Sequence, residues 1–348
     1  MLAPPWIPVP APAYGGIEEV VRLLSEGLVA RGHDVTLFAP PGSESSADVV
    51  EVLDDPHPDD IQKAQYESDH VARAFAEIEA AGERGDPFDV IHDHVGHTAL
   101  AMADRIAVPL VHTLHGPFTE DACRFYAEHG QKAEIVAISQ SQLDDAPEEM
   151  GGGVVVHNPI DCSEWPYREE KQDSLLWIGR MSPDKGPHRA IVAARAAGAP
   201  LKLAGPIQPG QERFFAEEVE SRLGDGVEYV GEADADYKRE LYGEARALLM
   251  PIRWPEPFGL VMVESLACGT PVIAFREGAA PEVVEDGETG FIVDDEHAMA
   301  QAIERLGEID PATCRSACER RFGVPAVVRG YEAVYRKAID GRGSTRGH

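Results

Sequence analysis

Short apolar runs alternate with longer amphipathic stretches along almost the whole chain. DVTLFA (34–39), DVIHDH (89–94), PLVHTLH (109–115), EIVAIS (134–139) and GVVVHN (153–158) are too short for helices and predict strands. Between the strands, residues 17–31 carry Ile17, Val20, Val21, Leu24 and Leu28 at helical spacing, and Ile61–Ala81 is a second helix candidate. After a polar, unpatterned stretch, DCSEWPYREEKQD (161–173), the rhythm restarts. SLLWIG, PLKLAG, VEYVG, ALLMPI, PVIAF and GFIV predict strands, with helices near 187–197, 212–223, 260–267 and 295–307. A last helix is expected over Val324–Asp340, with Val327, Val328, Tyr331, Val334 and Tyr335 on one stripe.

Strands alternating with helices imply an α/β fold with parallel sheets covered on both faces. Two such runs imply two Rossmann-like domains, and 348 residues suit two cores better than one. The expected division is 1–162 and 174–322, joined by a linker at 163–173, with the C-terminal helix and tail at 323–348.

Composition narrows the partners. Asp plus Glu number 61 against 31 Lys plus Arg, a formal net charge of −30. Such a surface repels nucleic acid and anionic lipid, so neither is expected as a partner. No apolar run approaches the roughly 18–20 residues that span a bilayer, so no stable membrane insertion is expected. The opening MLAPPWIPVPAPAYGG lacks a basic region and is broken by prolines, unlike a secretion signal. Five scattered cysteines give no disulfide framework, and a cytoplasmic location is expected. Cys314 and Cys318 lie four apart on a probable helix, with no second ligand pair to make a zinc site.

In open α/β sheets, ligands gather at the carboxyl ends of strands, so the loops there carry the candidate chemistry. GRMSPDKG (179–186) follows a strand and runs into Pro187, a residue suited to the first helical turn. It puts Arg180 and Lys185, one of only seven lysines, near a helix N-terminus that favours an anion. Neither a Walker loop nor a G-x-G-x-x-G fingerprint is present. YGGIEE (14–19) places Gly15 and Gly16 before the first helix in a similar way. EPFGLVMVE (256–264) brackets a helix start with two carboxylates. Eight helical residues would span about 12 Å, and Pro257 holds Glu256 in extended backbone outside the helix. The two cannot share a proton, and a retaining-glycosidase pair roughly 5–5.5 Å apart is hard to make from them. The spacing suits gripping two hydroxyl-bearing ends of an extended ligand, with the N–H groups of Phe258, Gly259 and Leu260 between them for phosphate.

These segments resemble a known family. EPFGLVMVESLACGTPVIA is similar to the E-x7-E signature of retaining glycosyltransferase family four, the group 1 glycosyl transferases of GT-B fold. GRMSPDKG resembles that family's phosphate loop, and YGGIE, TLHG, HNPID and GAAPEVVEDGETGFIV occur in its order. The resemblance implies a GT-B enzyme whose two Rossmann-like domains face each other across a cleft, closing over the donor. It implies transfer of a hexose-type sugar from a UDP-, GDP- or ADP-type nucleotide sugar to a hydroxyl acceptor (glycan, glycolipid or small metabolite). Neither a cofactor nor a metal is implied. Arg180 and Lys185 would neutralise the diphosphate, Glu264 would hold the ribose, and Glu256 would accept from the sugar hydroxyls. Phe258, Gly259 and Leu260 would complete the sugar and phosphate contacts. His115 would face the sugar from the N-terminal domain, Gly16 would border the diphosphate, and Val230 and Gly231 would contact the base. Glu282 joins the donor-binding set. Retention would need no protein nucleophile, since the leaving phosphate takes the acceptor proton. The chain departs from the family at MLAPP, where either the first strand is short or the start is misassigned, and at Ala279 and Ala280, where a second glycine is common.

Other groupings have plainer readings. Strand alternation puts His92 and His94 on one side, but no metal is expected there. His112 and His115, three apart, point to opposite faces. DAD (234–236) is read as the cap of the following helix. The alternatives kept open are a GT-B nucleotide-sugar epimerase and a non-catalytic nucleotide-sugar-binding protein.

Overall fold

The computed structural model describes residues 1–12, 15–61 and 63–345, with side chains to 341, so Tyr14 of YGGIEE and the last three residues of the tail lie outside the described residues. The chain forms two units, residues 1–159 with 324–348 (unit 1) and residues 160–323 (unit 2).

In unit 1, α1 (Gly16–Ala30) leads to β1 (Thr36–Ala39), paired in parallel with β2 (Asp48–Glu51). Then come α2 (Ala64–Glu83), β3 (Ile91–Asp93), α3 (His97–Ala101), β4 (Leu110–Thr113), α4 (Glu120–His129), β5 (Glu134–Ala137), α5 (Gln140–Asp144) and β6 (Val154–Val155). The last four strands pair in parallel in sequence order. Leu2 bridges Phe38 and Asp93, so a very short first strand joins the two pieces through its backbone. The C-terminal helix (Val324–Thr345) lays the expected stripe, Val327, Val328, Tyr331, Val334 and Tyr335, against Leu24, Leu28, Val111 and Val136. Burying each large aliphatic there contributes about 1.5–3 kcal/mol. Glu332 locks the same contact by accepting from Arg31 Nε at 2.5 Å and His33 Nε2 at 3.1 Å.

In unit 2, β7 (Leu175–Ile178), α6 (Pro187–Ala196), β8 (Leu201–Ala204), a distorted helix opened by α7 (Glu212–Phe214), and β9 (Val227–Gly231) form the first half. The second half is α8 (Ala235–Glu244), β10 (Leu248–Met250), α9 (Leu260–Ala267), β11 (Val272–Phe275), α10 (Ala280–Val283), β12 (Gly290–Val293), α11 (Glu296–Glu304) and α12 (Pro311–Phe322). The all-parallel order β9-β8-β7-β10-β11-β12 is the doubly wound arrangement of a Rossmann fold. Its order reverses between β7 and β10, and the crevice beyond their carboxyl ends is where such sheets hold ligands.

Two boundaries differ from expectation. The division expected at 162 falls at 159, because Ile160 N–H donates to the Phe322 carbonyl and buried Cys162 lies 3.7 Å from Cys318. Residues 163–173, expected as a linker, form a strap within unit 2. Lys171 Nζ donates to the Gly243 and Cys268 carbonyls and to Thr270 Oγ1 (2.8–3.1 Å), and Trp165 stacks edge-on against Tyr242. Polar composition hid these anchors. All five cysteines are free. Among the described residues, no helix is long and apolar enough to cross a membrane.

Candidate active site

The loops after β7 and β10 interlock at the switch point. Gly186 caps α6 in the left-handed region (φ 73°), and a Cβ there would lie 2.3 Å from the Pro251 carbonyl oxygen. Only glycine lets these two backbones touch. Arg253 N–H donates to the Asp184 carbonyl (2.9 Å), and Arg189 reaches the carbonyls of Pro183 and Pro251.

This contact sets Lys185 against Glu256. Lys185 Nζ lies 2.5 Å from Glu256 Oε2, with the two side chains only 17% and 15% exposed. Trp254 Nε1–H donates to the same oxygen (3.0 Å), and the ammonium sits 4.3 Å over the Trp254 ring centroid. The loop after β11 holds the Glu256 backbone. Ala279 N–H donates to its carbonyl, and at Gly278 (φ 51°) a Cβ would lie 2.4 Å from Glu256 N. Gly259, in the left-handed region, is the cap residue of α9 and, lacking a side chain, makes no side-chain cap hydrogen bond to its first turn. Phe258 is buried against Phe322.

The other expected residues fall around this centre. Glu264, in α9, accepts from Lys238 Nζ at 2.7 Å and Tyr242 OH at 2.9 Å. It and Glu256 therefore have separate partners, as their spacing implied. Arg180 does not join Lys185: it is exposed and contacts Gln208 Oε1 at 3.4 Å. Val230 and Gly231 end β9, half-buried, with the Gly231 carbonyl accepting from Gly205 N–H. Glu282 sits in α10, its carbonyl held by Arg321. Lys238 and Trp254 were not among the expected site residues. The scarcity of lysine marked Lys238, and the offset of two from Glu256 marked Trp254, but neither signal names a partner.

In unit 1, Gly16 opens α1 behind its cap residue Gly15. His115 follows β4, half-buried, with its Nε2 2.9 Å from His94 Nδ1. His94 Nε2 lies 3.3 Å from His92 Nδ1, so these two do share a side. His112 faces the other way, toward Asp93 Oδ2 (2.6 Å) and Tyr126 OH (3.0 Å). The HDH segment is thus divided between two faces, and among the described residues no group of three such side chains is placed to hold a metal ion. Burial pushes the His92 and His94 imidazoles well below their ordinary range and His115 down to about 3. Asp234 of the DAD segment accepts from Tyr237 N–H at 2.8 Å and caps α8.

Two doubly wound halves with polar strand-end loops define the fold class, and the sequence comparisons give the family. Residues 164–319 match the model of the glycosyl transferases group 1, and residues 14–164 match that of glycosyltransferase family 4. The chain belongs to the group 1, family-4-like glycosyltransferases of GT-B fold. It is 28% identical to a glycogen synthase of Mycobacterium tuberculosis over 330 residues, covering 81% of this chain and 79% of that one. It is also 28% identical to a D-inositol 3-phosphate glycosyltransferase of Acidothermus cellulolyticus over 397 residues, covering 93% and 86%. Among solved structures, AviGT4, a glycosyltransferase involved in avilamycin A biosynthesis, superposes with a TM-score of 0.73 at 26% identity, covering 98% and 97%.

Proposed function

We propose that this glycosyltransferase transfers a hexose from a UDP-, GDP- or ADP-type nucleotide sugar to a hydroxyl acceptor, with retention of configuration and without a metal ion. The observation that carries the reading is the Lys185–Glu256 pair at the switch point, beside the uncapped start of α9. Lys185 is a cation held in reserve: Glu256 balances it until a diphosphate arrives, and it then turns to the phosphate oxygens. As the glycosidic bond breaks, Lys185 and Arg180 stabilise the charge growing on the leaving diphosphate, the role a metal plays elsewhere. Glu256, released from Lys185 but still oriented by Trp254, accepts from hydroxyls of the sugar. The first-turn N–H groups at Gly259 and Leu260, with Phe258 packing beneath, complete the sugar and phosphate contacts. Glu264 accepts from the ribose, Val230 and Gly231 meet the base, Gly16 borders the diphosphate, and Glu282 joins the donor set. His115 is assigned to a hydroxyl of the transferred sugar. The leaving phosphate takes the acceptor proton, so no protein nucleophile is required.

The test is calorimetry with UDP, GDP and ADP in chelator-treated buffer, followed by turnover with the matching sugar nucleotides and assignment of the product anomer by NMR. Binding and turnover that survive chelation, with the donor's anomeric configuration kept, support the reading. No binding of any nucleotide diphosphate, strict metal dependence or inversion would sink it.

A further inference from the structure

The second glutamate of the site is gripped differently from the first. Lys185 and Trp254 both donate to Oε2 of Glu256. Glu264 instead has one partner on each oxygen: Lys238 Nζ donates to Oε1 at 2.7 Å, and Tyr242 OH donates to Oε2 at 2.9 Å. Lys238 and Tyr242 stand one helical turn apart on α8, so they share a face of that helix. Trp165 of the strap backs both. Its ring lies edge-on to Tyr242, with centroids 5.8 Å apart, and its centroid is 5.7 Å from Lys238 Nζ. The Lys238 and Glu264 side chains are only 20% and 13% exposed, and Tyr242 is fully buried.

A carboxylate held through one oxygen can still swing about its last bond, which suits a group that exchanges its partner for a ligand. A carboxylate held through both oxygens, by a cation on one and a phenol on the other, has its plane set before any ligand arrives. Two of its roughly four acceptor sites are then taken, and the rest are open to hydroxyl donors. An acceptor fixed in advance loses little rotamer freedom on binding. It therefore separates more sharply a ligand that brings the donor from one that lacks it.

We propose that Lys238 and Tyr242 are positioning residues that set the Glu264 carboxylate for the ribose hydroxyls, and so sharpen the choice of ribose over deoxyribose in the donor nucleotide. The inference rests on the assignment of Glu264 to the ribose and carries it further. Lys185 leaves its glutamate for the phosphates, whereas Lys238 stays on Glu264 while the nucleotide is bound. The strap contributes Trp165 as the wall against which both positioning residues are held.

The test is calorimetry of the full-length chain with UDP, GDP and ADP, then with the 2′-deoxy and 3′-deoxy forms of the tightest binder. Wild type should bind at least one deoxy form roughly tenfold or more weakly, the worth of a hydrogen bond to a charged group. Glu264→Ala should erase most of that preference. Lys238→Met and Tyr242→Phe keep the bulk and remove the donor, and each should shrink the preference about three- to tenfold. Lys238→Arg, which keeps a donor cation, should retain most of it. The ratio is the readout because a cation that only attracts the diphosphate, or a side chain that only packs α8 on α9, would change both affinities alike. An unchanged ratio in Lys238→Met and Tyr242→Phe, with the preference present in wild type and lost in Glu264→Ala, overturns the positioning roles and leaves the ribose assignment standing. No preference in wild type, or one that survives Glu264→Ala, overturns the ribose assignment and the inference with it.

Discussion

The two units place opposite kinds of chemistry at the carboxyl ends of their strands. In unit 2 the site is ionic and partly open, with Lys185 on Glu256 and Lys238 on Glu264. In unit 1 the ends of β3 and β4 carry His92, His94 and Thr113, packed with Tyr331 and Tyr335 of the C-terminal helix, all buried, with both imidazoles neutral. The difference follows from what each can do. A charged pair in a crevice can exchange one partner for a ligand's phosphate, because both groups stay near water. A buried neutral chain cannot release a partner without leaving an orphaned polar group, so it serves to orient rather than to bind.

The sharpest way to break this comparison is to remove the exchangeable cation. Lys185→Ala should weaken nucleotide-diphosphate binding on the order of a hundredfold, by loss of a charge-assisted contact and by leaving Glu256 to repel the phosphates. Calorimetry would show it. Retained affinity would mean that the pair is only structural.

Next in size is Glu256→Gln. The amide keeps the shape and can still accept from Trp254, but it loses the charge that, in the proposed mechanism, receives sugar hydroxyls in the transition state. Turnover should fall by roughly tenfold to a hundredfold while nucleotide affinity stays within a few-fold. Equal losses in both would place Glu256 in uniform binding instead.

The neutral side of the comparison is tested by pH. The folded pKa values of His92, His94 and His115 lie below that of a free imidazole, so the unfolded chain binds protons that the folded chain does not. Their contribution is present above about pH 6.5 and is lost as pH falls, through about 3 for His115. Each can cost up to about 1.4 kcal/mol per pH unit in that window. Glu332 acts lower: Arg31 first, then His33, hold its carboxyl down to about 2, so its contribution is present above about pH 4.5 and fades toward 2. Urea midpoints for unit 1 should therefore drop between pH 7 and 5. A His94→Gln variant, whose amide has no such titration, should show a shallower drop. Identical slopes would refute the buried-neutral account.

Much of this architecture was legible, and the exceptions are instructive. α9 begins and ends where the apolar run and Pro257 placed it, and the strands of unit 2 fall on the apolar runs. β2, DVVE, escaped because its ends are exposed and its apolar content is two valines. α4 escaped because it buries only Tyr126. In the site, the loops were visible because glycine and proline punctuate them. The pairing was not: Lys185 and Glu256 are 71 residues apart, and only strand order brings β7 beside β10. Arg180, beside Lys185 in the same loop, instead points to Gln208. The histidine cluster was half legible. Period-two alternation put His92 and His94 on one side, but nothing local tied them to a tyrosine 243 residues later.

The smallest expected effect isolates orientation within the charged site. Trp254 does two things for the pair: its ring carries the Lys185 ammonium, and its N–H fixes Glu256 Oε2. Trp254→Phe keeps an aromatic face and removes the N–H, so the hydrogen bond is lost while most of the cation contact remains. One such bond is worth about 0.5–1.5 kcal/mol, and kcat should fall about two- to tenfold, with nucleotide affinity nearly unchanged. If affinity falls as far as turnover, the ring and not the N–H is what matters. The charged site would then rely on packing for its geometry, as the neutral one relies on its hydrogen bonds.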